Sequence, residues 1–192
     1  MDSFQILLEK TEKQKDYRQG AISVLDERGK FVSFKNQDFI GVLHIYKHKI
    51  PESYSSVSNL SNILAFLAVP SYFSTQSLLS FIGKYQSCIS NFRIIRDSLD
   101  SRYLVLMKFA TRDDADLFYA EFNGSLYNHD QGERCHVVYI SSVLFSSNNE
   151  LEPLVLEESD VFFTNIDSIK DKIELPNCPV CLVFIPNLGS HG

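Results

Sequence analysis

The sequence has few cysteines, no long apolar run and no excess of basic residues. Only four of its 192 residues are cysteine, too few for the disulfide scaffold of a small secreted domain. No stretch approaches the roughly 18–20 apolar residues that cross a bilayer, and the first residues lack the basic and apolar regions of a secretory signal. These absences favour a globular protein of the cytosol or nucleus and predict no membrane partner.

The charge is unevenly distributed along the chain. Residues 150–192 hold 8 acidic and 2 basic groups, which accounts for the whole net charge of −6. Residues 61–149 are close to neutral, with 7 basic and 8 acidic groups. The middle of the chain therefore lacks the basic surface that is typical of nucleic-acid binding.

Hydrophobic patterning predicts a regular α/β unit in the middle of the chain. Ser74 and Thr111 are predicted N-caps of two helices, and Gly83 and Asn123-Gly124 are predicted stops. The predicted elements are strands at 63–69, 89–97, 103–109 and 135–140 and helices at 74–82 and 111–122. This β-α-β-β-α-β order predicts an α+β, ferredoxin-like sandwich with two helices on one sheet face and the other face available.

The flanking segments give weaker patterns. Residues 1–19 place Phe4, Leu7 and Leu8 at helical spacing, which fits a short amphipathic helix or a disordered lead-in. Residues 21–34 predict a hairpin that turns at 26–29, and 39–46 predicts a further strand. The fold is therefore expected to carry extra N-terminal strands and an extended acidic C-terminal tail.

The predicted third strand invites comparison with RNA-recognition domains, which stack bases on aromatic side chains of the two central strands. Here the outward positions hold Ala65, Leu104 and Leu106 instead of aromatic residues. Base stacking is worth roughly 1–3 kcal/mol per base, so its loss disfavours RNA. The three residues form a candidate interaction face for a protein, unless the N-terminal strands cover them. A single-stranded RNA-binding domain with unconventional contacts is the alternative.

Near the C-terminus, Cys178 and Cys181 are separated by two residues, a spacing that lets both thiolates reach one zinc ion. A structural zinc normally takes four ligands, and downstream the sequence offers only His191. We therefore expect an incomplete zinc site that holds no metal stably. No grouping of residues rises above chance as a catalytic site, so no catalytic residue is predicted.

Several segments recur in the same order in one known family. They are Gly41-Val-Leu-His-Ile-Tyr-Lys47, residues 64–70, Ile94-Ile-Arg-Asp97, Tyr103-Leu-Val-Leu-Met-Lys-Phe109, residues 114–119, Phe122-Asn-Gly124 and residues 174–182. Over roughly residues 40–182 the chain resembles the BRAP family, which comprises BRCA-associated protein in animals, the ethanol-tolerance protein in fungi and plant RING/UBP zinc-finger ligases.

The resemblance implies an RRM-like domain followed by a RING finger, a ubiquitin-binding zinc finger and a coiled coil, in a cytoplasmic RING-type E3 ubiquitin ligase. Animal members also retain proteins that carry nuclear localisation signals and act in Ras–MAP kinase signalling. The implied partners are the ubiquitination machinery and proteins with basic targeting signals, and the implied cofactor is zinc in the intact RING.

The residue patterning and the resemblance together divide the chain into four predicted segments. They are an N-terminal segment with a candidate hairpin at 1–38, an RRM-like domain at 39–145, an acidic linker at 146–174 and the truncated start of a RING finger at 175–192. Cys178 and Cys181 match the first two RING ligands, and the chain departs from the family pattern at about Val183. We expect an N-terminal fragment, from a splice product or a truncated gene model, that is inactive alone as a ligase.

Overall fold

The computed structural model describes residues 3–11, 19–31, 38–48, 61–96, 101–147, 150–153 and 172–174. Within these residues the chain forms nine strands, two α-helices and a 3₁₀ helix at Gly83–Cys88. The strands are β1 (Ser3–Lys10), β2 (Gly20–Leu25), β3 (Phe39–His48), β4 (Ile63–Pro70), β5 (Ile89–Arg96), β6 (Arg102–Phe109), β7 (His136–Ser147), β8 (Glu150–Pro153) and β9 (Lys172–Glu174). The helices are α1 (Thr75–Ile82) and α2 (Arg112–Phe122).

Seven of these strands form a closed barrel. Their order is β1-β3-β2-β5-β6-β4-β7, and β7 pairs back onto β1 to close the ring. The β1–β7 pair is parallel, whereas the other neighbours in the ring are antiparallel. The two remaining strands extend the ring, since β8 pairs with β7 and β9 pairs with β3.

The predicted ferredoxin-like, RRM-like sandwich is therefore wrong as the fold of this chain. The predicted β-α-β-β-α-β order of elements is present from β4 to β7, but the sheet does not end as an open layer with one face available. The physical reason lies in β4, whose side chains are buried at every position, so both faces of the sheet need a cover. The helices cover one face, and closure of the sheet through β1, β3 and β2 encloses the other.

The N-terminal segment is where the sequence interpretation failed. Residues predicted as a short helix or a disordered lead-in form β1, in which Ile6, Leu7 and Leu8 are all buried. Ile6 and Leu8 face the barrel interior, and Leu7 lies on the opposite side of the strand. Burial on both sides removes the polar alternation that would have identified a strand.

Two apolar cores result. The first fills the barrel with aliphatic side chains from all seven strands and with Phe39 and Phe145, whose rings meet edge to face at 5.4 Å. The second lies between the sheet and the helices and is aromatic. In it Phe118 lies 5.0 Å from Phe109, 5.1 Å from Tyr85 and 4.5 Å from Phe122, measured between ring centroids.

Both helices begin and end where the sequence predicts. The Ser74 hydroxyl accepts a hydrogen bond from the Ser77 amide at 3.1 Å, and the Thr111 hydroxyl accepts one from the Asp114 amide at 3.1 Å. Gly83 ends α1 with φ of +46°, a value that favours glycine.

The sheet extends further along the chain than the sequence indicates. β7 continues to Ser147, and β8 and β9 both lie inside the range 146–174 that was predicted as an acidic linker. This range therefore contributes strands to the barrel sheet at both of its ends.

Candidate functional site

The described residues contain no candidate metal centre. No three His, Cys, Asp or Glu side chains among them are close enough together to hold a metal ion. Cys178 and Cys181 lie outside the described ranges, Cys135 is buried, and Cys88 is half-buried. The described residues therefore do not fit a structural zinc ion. In the same part of the chain, no helix is long and apolar enough to cross a membrane.

The three residues of the candidate interaction face lie inside the barrel. Ala65, Leu104 and Leu106 are 0%, 0% and 1% exposed, and all three belong to the core that the seven strands enclose. They are brought together across the β4–β6 pair, in which Ala65 lies opposite Leu106. Neither a protein nor a nucleic-acid base can contact them while the barrel is closed.

The outer surface of the helix layer is accessible instead. On α2, Ala115, Phe118 and Phe122 face the core, whereas Leu117 is 61% exposed. Asp113 and Glu121 lie one helical turn before and after Leu117, at i−4 and i+4 on the same face. We call this set of Asp113, Leu117 and Glu121 the α2 face.

A polar network fixes α2 against the sheet. The Arg112 Nε donates to Asp116 Oδ1 at 2.7 Å, and the Tyr139 hydroxyl of β7 donates to the same oxygen at 2.5 Å. The Arg112 guanidinium also lies over the Tyr139 ring, 5.3 Å from its centroid. Although partial burial acts to raise it, hydrogen bonds from Arg112 and Tyr139 hold the pKa of Asp116 below its ordinary value. The α2 face is thus presented by a rigidly held helix.

A second polar cluster lies where β4 ends and β6 begins. The Arg102 Nη2 donates to Glu133 Oε1 at 2.7 Å, and the Tyr72 hydroxyl donates to Glu133 Oε2 at 2.6 Å. Arg102 Nη1 also donates to the carbonyl of Ala68 at 3.1 Å. This cluster ties the loop that precedes β7 to the end of β4, and Tyr72 remains 47% exposed beside it.

The edge of β3 is the third feature. β1 pairs with residues 41–47 on one side of β3, whereas β2 pairs with residues 39–41 on the other side. On the β2 side, β9 pairs with the far end of β3, with Lys47 opposite Ile173. A strand from the C-terminal part of the chain thus lies on the barrel a few residues before Cys178.

Sequence reasoning missed both the Tyr72–Arg102–Glu133 cluster and the β9 pairing. The three members of the cluster are separated by 30 or more positions, and no local pattern connects them. The three-residue strand β9 is too short for period-2 alternation to identify it. The exposure of Leu117 could have been predicted from the sequence, because Leu117 lies off the helix face that carries Ala115, Phe118 and Phe122.

Comparison with known proteins identifies relatives over most of the chain. The family model described as "BRCA1-associated protein 2" matches residues 55–152. The chain is 33% identical over 151 residues to "BRAP2 RING ZnF UBP domain-containing protein 1" of Arabidopsis thaliana, an alignment that covers 78% of this chain and 28% of the relative. No solved structure matches the chain.

Relatives also occur in animals and fungi. The "BRCA1-associated protein" of Mus musculus is 32% identical over 144 residues, which are 74% of this chain and 22% of the relative. The "RING finger protein ETP1 homolog" of Schizosaccharomyces pombe is 32% identical over 150 residues, which are 74% of this chain and 27% of the relative. The chain thus spans about a quarter of the length of these curated relatives.

Proposed function

Since the chain belongs to the BRCA1-associated protein 2 family, we propose that its barrel is a protein-interaction module of a RING-type E3 ubiquitin ligase that acts in the cytoplasm. The names of the plant and fungal relatives include a RING finger, and that of the plant relative also includes a UBP zinc finger, which is the support for the ligase assignment. In the proposed ligase, zinc belongs to the intact RING finger. The barrel contributes binding of partner proteins.

The interaction role is supported by the contrast between the enclosed face of the sheet and the exposed outer surface of the helix layer. The face on which an RNA-recognition domain stacks bases lies inside the barrel, with Leu104 and Leu106 fully buried. The outer surface displays Leu117 between Asp113 and Glu121 on a helix that is fixed by Asp116 and Tyr139. Glu121 is already paired with Lys84 at 3.0 Å and accepts a hydrogen bond from the Tyr85 hydroxyl. The exposed apolar anchor and Asp113 therefore suit a protein partner that offers an apolar pocket and a basic group.

Comparison of two exposed-apolar variants tests this role. Leu117→Glu changes the α2 face, and Ile40→Glu makes the same change at a residue of β3 that is 50% exposed. Because both side chains are exposed, we expect both variants to retain wild-type stability. Proximity labelling in cells should show that Leu117→Glu loses partners that the wild type and Ile40→Glu both retain. Retention of every partner by Leu117→Glu would overturn the assignment of the α2 face.

Ubiquitin transfer tests the ligase assignment. We expect residues 1–192 to be inactive in a self-ubiquitination assay and to bind well below one equivalent of zinc, because Cys178 and Cys181 provide two of the four ligands that a RING zinc requires. Robust transfer by these residues alone would refute this expectation. A saturable micromolar or tighter titration with short RNA pools would instead favour the alternative of single-stranded RNA binding.

The acidic C-terminal part of the chain supports a narrower proposal about the partner. Residues 150–192 carry the whole net charge of −6, which favours partners with basic targeting segments. Binding of a basic peptide should weaken as salt is added, since salt screens exposed charges. Affinity that is independent of salt would count against this partner class.

A further inference from the structure

The β3 strand has one edge that the barrel itself does not fully use. β3 is ten residues long, and β1 pairs with seven of them along one side. Along the other side, β2 pairs only with residues 39–41 before it turns toward β5. Farther along this side, β9 pairs with residues 46–48.

The edge of a β-strand can accept another strand. Backbone N–H and C=O groups along such an edge bind an extended segment through main-chain hydrogen bonds, with little requirement for particular side chains. β9 lies at this edge, antiparallel to β3, with Glu174 opposite Tyr46 and Lys172 opposite His48. It comes from the C-terminal part of the same chain, 124 or more residues after the residues with which it pairs.

We propose that residues 46–48 of β3 form a strand-acceptor site, that β9 is its occupant, and that this pairing docks the segment before Cys178 onto the barrel. Three residues separate Glu174 from Cys178, and the four Cα-to-Cα steps between them span at most about 14 Å when fully extended. As long as β9 stays docked, chain length alone limits Cys178 to that distance from Glu174. Only this consequence for a zinc finger rests on the proposed function. The acceptor site itself does not.

A disulfide across the pairing tests the site in the complete chain. Lys47 and Ile173 lie directly opposite each other, a position in which Cα atoms are about 4.5–5.5 Å apart and within the range that a disulfide spans. With Cys178 and Cys181 both changed to Ser, Lys47→Cys with Ile173→Cys should form an intramolecular disulfide under mild oxidation. Mass spectrometry of the linked peptides identifies the bond.

The matched control moves one cysteine to a neighbouring strand. Lys10→Cys lies on β1, opposite Gly41, and is exposed. Paired with Ile173→Cys it should stay reduced under the same conditions. Equal linkage of the two pairs, or no linkage of the Lys47→Cys pair, would overturn the proposal.

Hydrogen exchange gives an independent readout. Ile173→Pro removes a backbone donor from β9, and proline is tolerated poorly within a paired strand. We expect exchange of amides in residues 46–48 that face β9 to accelerate by about tenfold or more, as for a locally opened edge. Amides of β3 that face β1 should keep their protection, which shows that the barrel is intact. Unchanged exchange at residues 46–48 would contradict docking by β9.

The same variant separates this proposal from the proposed function. In the full-length ligase, Ile173→Pro should alter ubiquitin transfer if docking positions the RING finger. A disulfide and altered exchange without any change in transfer would leave the acceptor site established and would refute its consequence for the zinc finger.

Discussion

Two residues of the barrel have backbone environments that tolerate few side chains. Gly41 lies where β3 passes from pairing with β2 to pairing with β1, and a Cβ atom there would lie 2.2 Å from the carbonyl oxygen of Glu9. Ala68 lies in the bulge of β4, with a φ of +54°. A single substitution at either residue therefore tests the arrangement of the strands.

Gly41→Ala should destabilise the barrel by about 3 kcal/mol, at the upper end of the usual cost of overpacking, because the clash is with backbone and cannot be relieved by a rotamer change. Ile40→Ala, at the exposed neighbouring position, should cost less than about 1 kcal/mol. Chemical denaturation of the two variants measures the difference. Equal stabilities would show that β1 and β3 do not approach as closely at Gly41 as the structure has them.

Ala68→Gly and Ala68→Val should have different effects. A left-handed conformation costs an L-residue roughly 1–2 kcal/mol, and glycine relieves this cost. Ala68→Gly also removes a buried methyl group, which costs about 0.8 kcal/mol, and increases the conformational freedom of the unfolded chain, which costs about 0.4–1 kcal/mol. The net effect on stability should therefore be close to neutral. Ala68→Val adds a β-branched side chain and should destabilise by more than about 2 kcal/mol. Thermal unfolding ranks the two variants, and a more stable Val variant would contradict the positive φ.

The lowered pKa of Glu133 predicts that the stability of the protein depends on pH. The hydrogen bond from Tyr72, opposed by burial and assisted by Arg102, holds the pKa of Glu133 below its ordinary value of 4.5. A carboxyl whose pKa is lower in the folded state stabilises the fold above its unfolded pKa, and that stabilisation is lost as pH falls through the folded pKa. The free energy of unfolding should therefore decline with acidification below about pH 4.5, and Glu133→Gln should reduce this decline.

Denaturant titrations across this pH range measure the effect. Asp130→Asn removes a carboxylate from the same loop without touching Tyr72 or Arg102 and serves as the control. A wild-type profile that matches that of Glu133→Gln below pH 4.5 would show that the cluster does not contribute to acid stability.

At the scale of the elements, the helices were predictable because their signals are local. Ser74 and Thr111 are capping residues whose hydroxyls make the expected bonds, and Gly83 supplies the conformation that ends α1. The strands from β4 to β7 were also predictable from their apolar runs. β1 and β9 were not, because β1 is buried on both sides, and β9 depends on a partner more than 100 positions away.

The capping of α2 leads to a prediction at this scale. Thr111→Ala removes the hydroxyl that accepts from the Asp114 amide and should lower stability by about 1 kcal/mol. Thr111→Ser keeps the acceptor and should retain most of that stability. Urea unfolding followed by circular dichroism compares the two variants, and equal losses would indicate that side-chain packing, not capping, is the contribution of Thr111.

The closure of the barrel is a property of the whole molecule that no single segment encodes. Ala65, Leu104 and Leu106 indicated an aliphatic sheet face, and the sequence left open whether a partner or the N-terminal strands would cover it. The structure encloses this face, since β1 pairs with both β3 and β7. Local periodicity reports which face of an element is apolar, but not which distant element covers it.

Closure through β1 can be tested with one substitution. Leu8 is fully buried in the barrel interior, so Leu8→Asp places an unpaired carboxylate in the apolar core and should destabilise the protein by more than about 3 kcal/mol. Lys10→Asp on the exposed end of the same strand should have little effect. If the N-terminal segment were instead disordered or a surface helix, both substitutions should have small effects on stability. Denaturation curves and binding of an apolar dye distinguish the two outcomes.

The parallel pairing of β1 with β7 also constrains the order in which the strands can pair during synthesis. The buried hydrogen bond between Gln5 and Ser142 joins residues 137 positions apart, so β1 meets its second partner only after nearly the whole barrel has been synthesised. Until then its apolar residues remain without the strand that completes the ring. Contacts of this sequence separation slow folding and expose apolar surface during synthesis. The first strand to be synthesised therefore completes its pairing only once the last strand of the ring has left the ribosome.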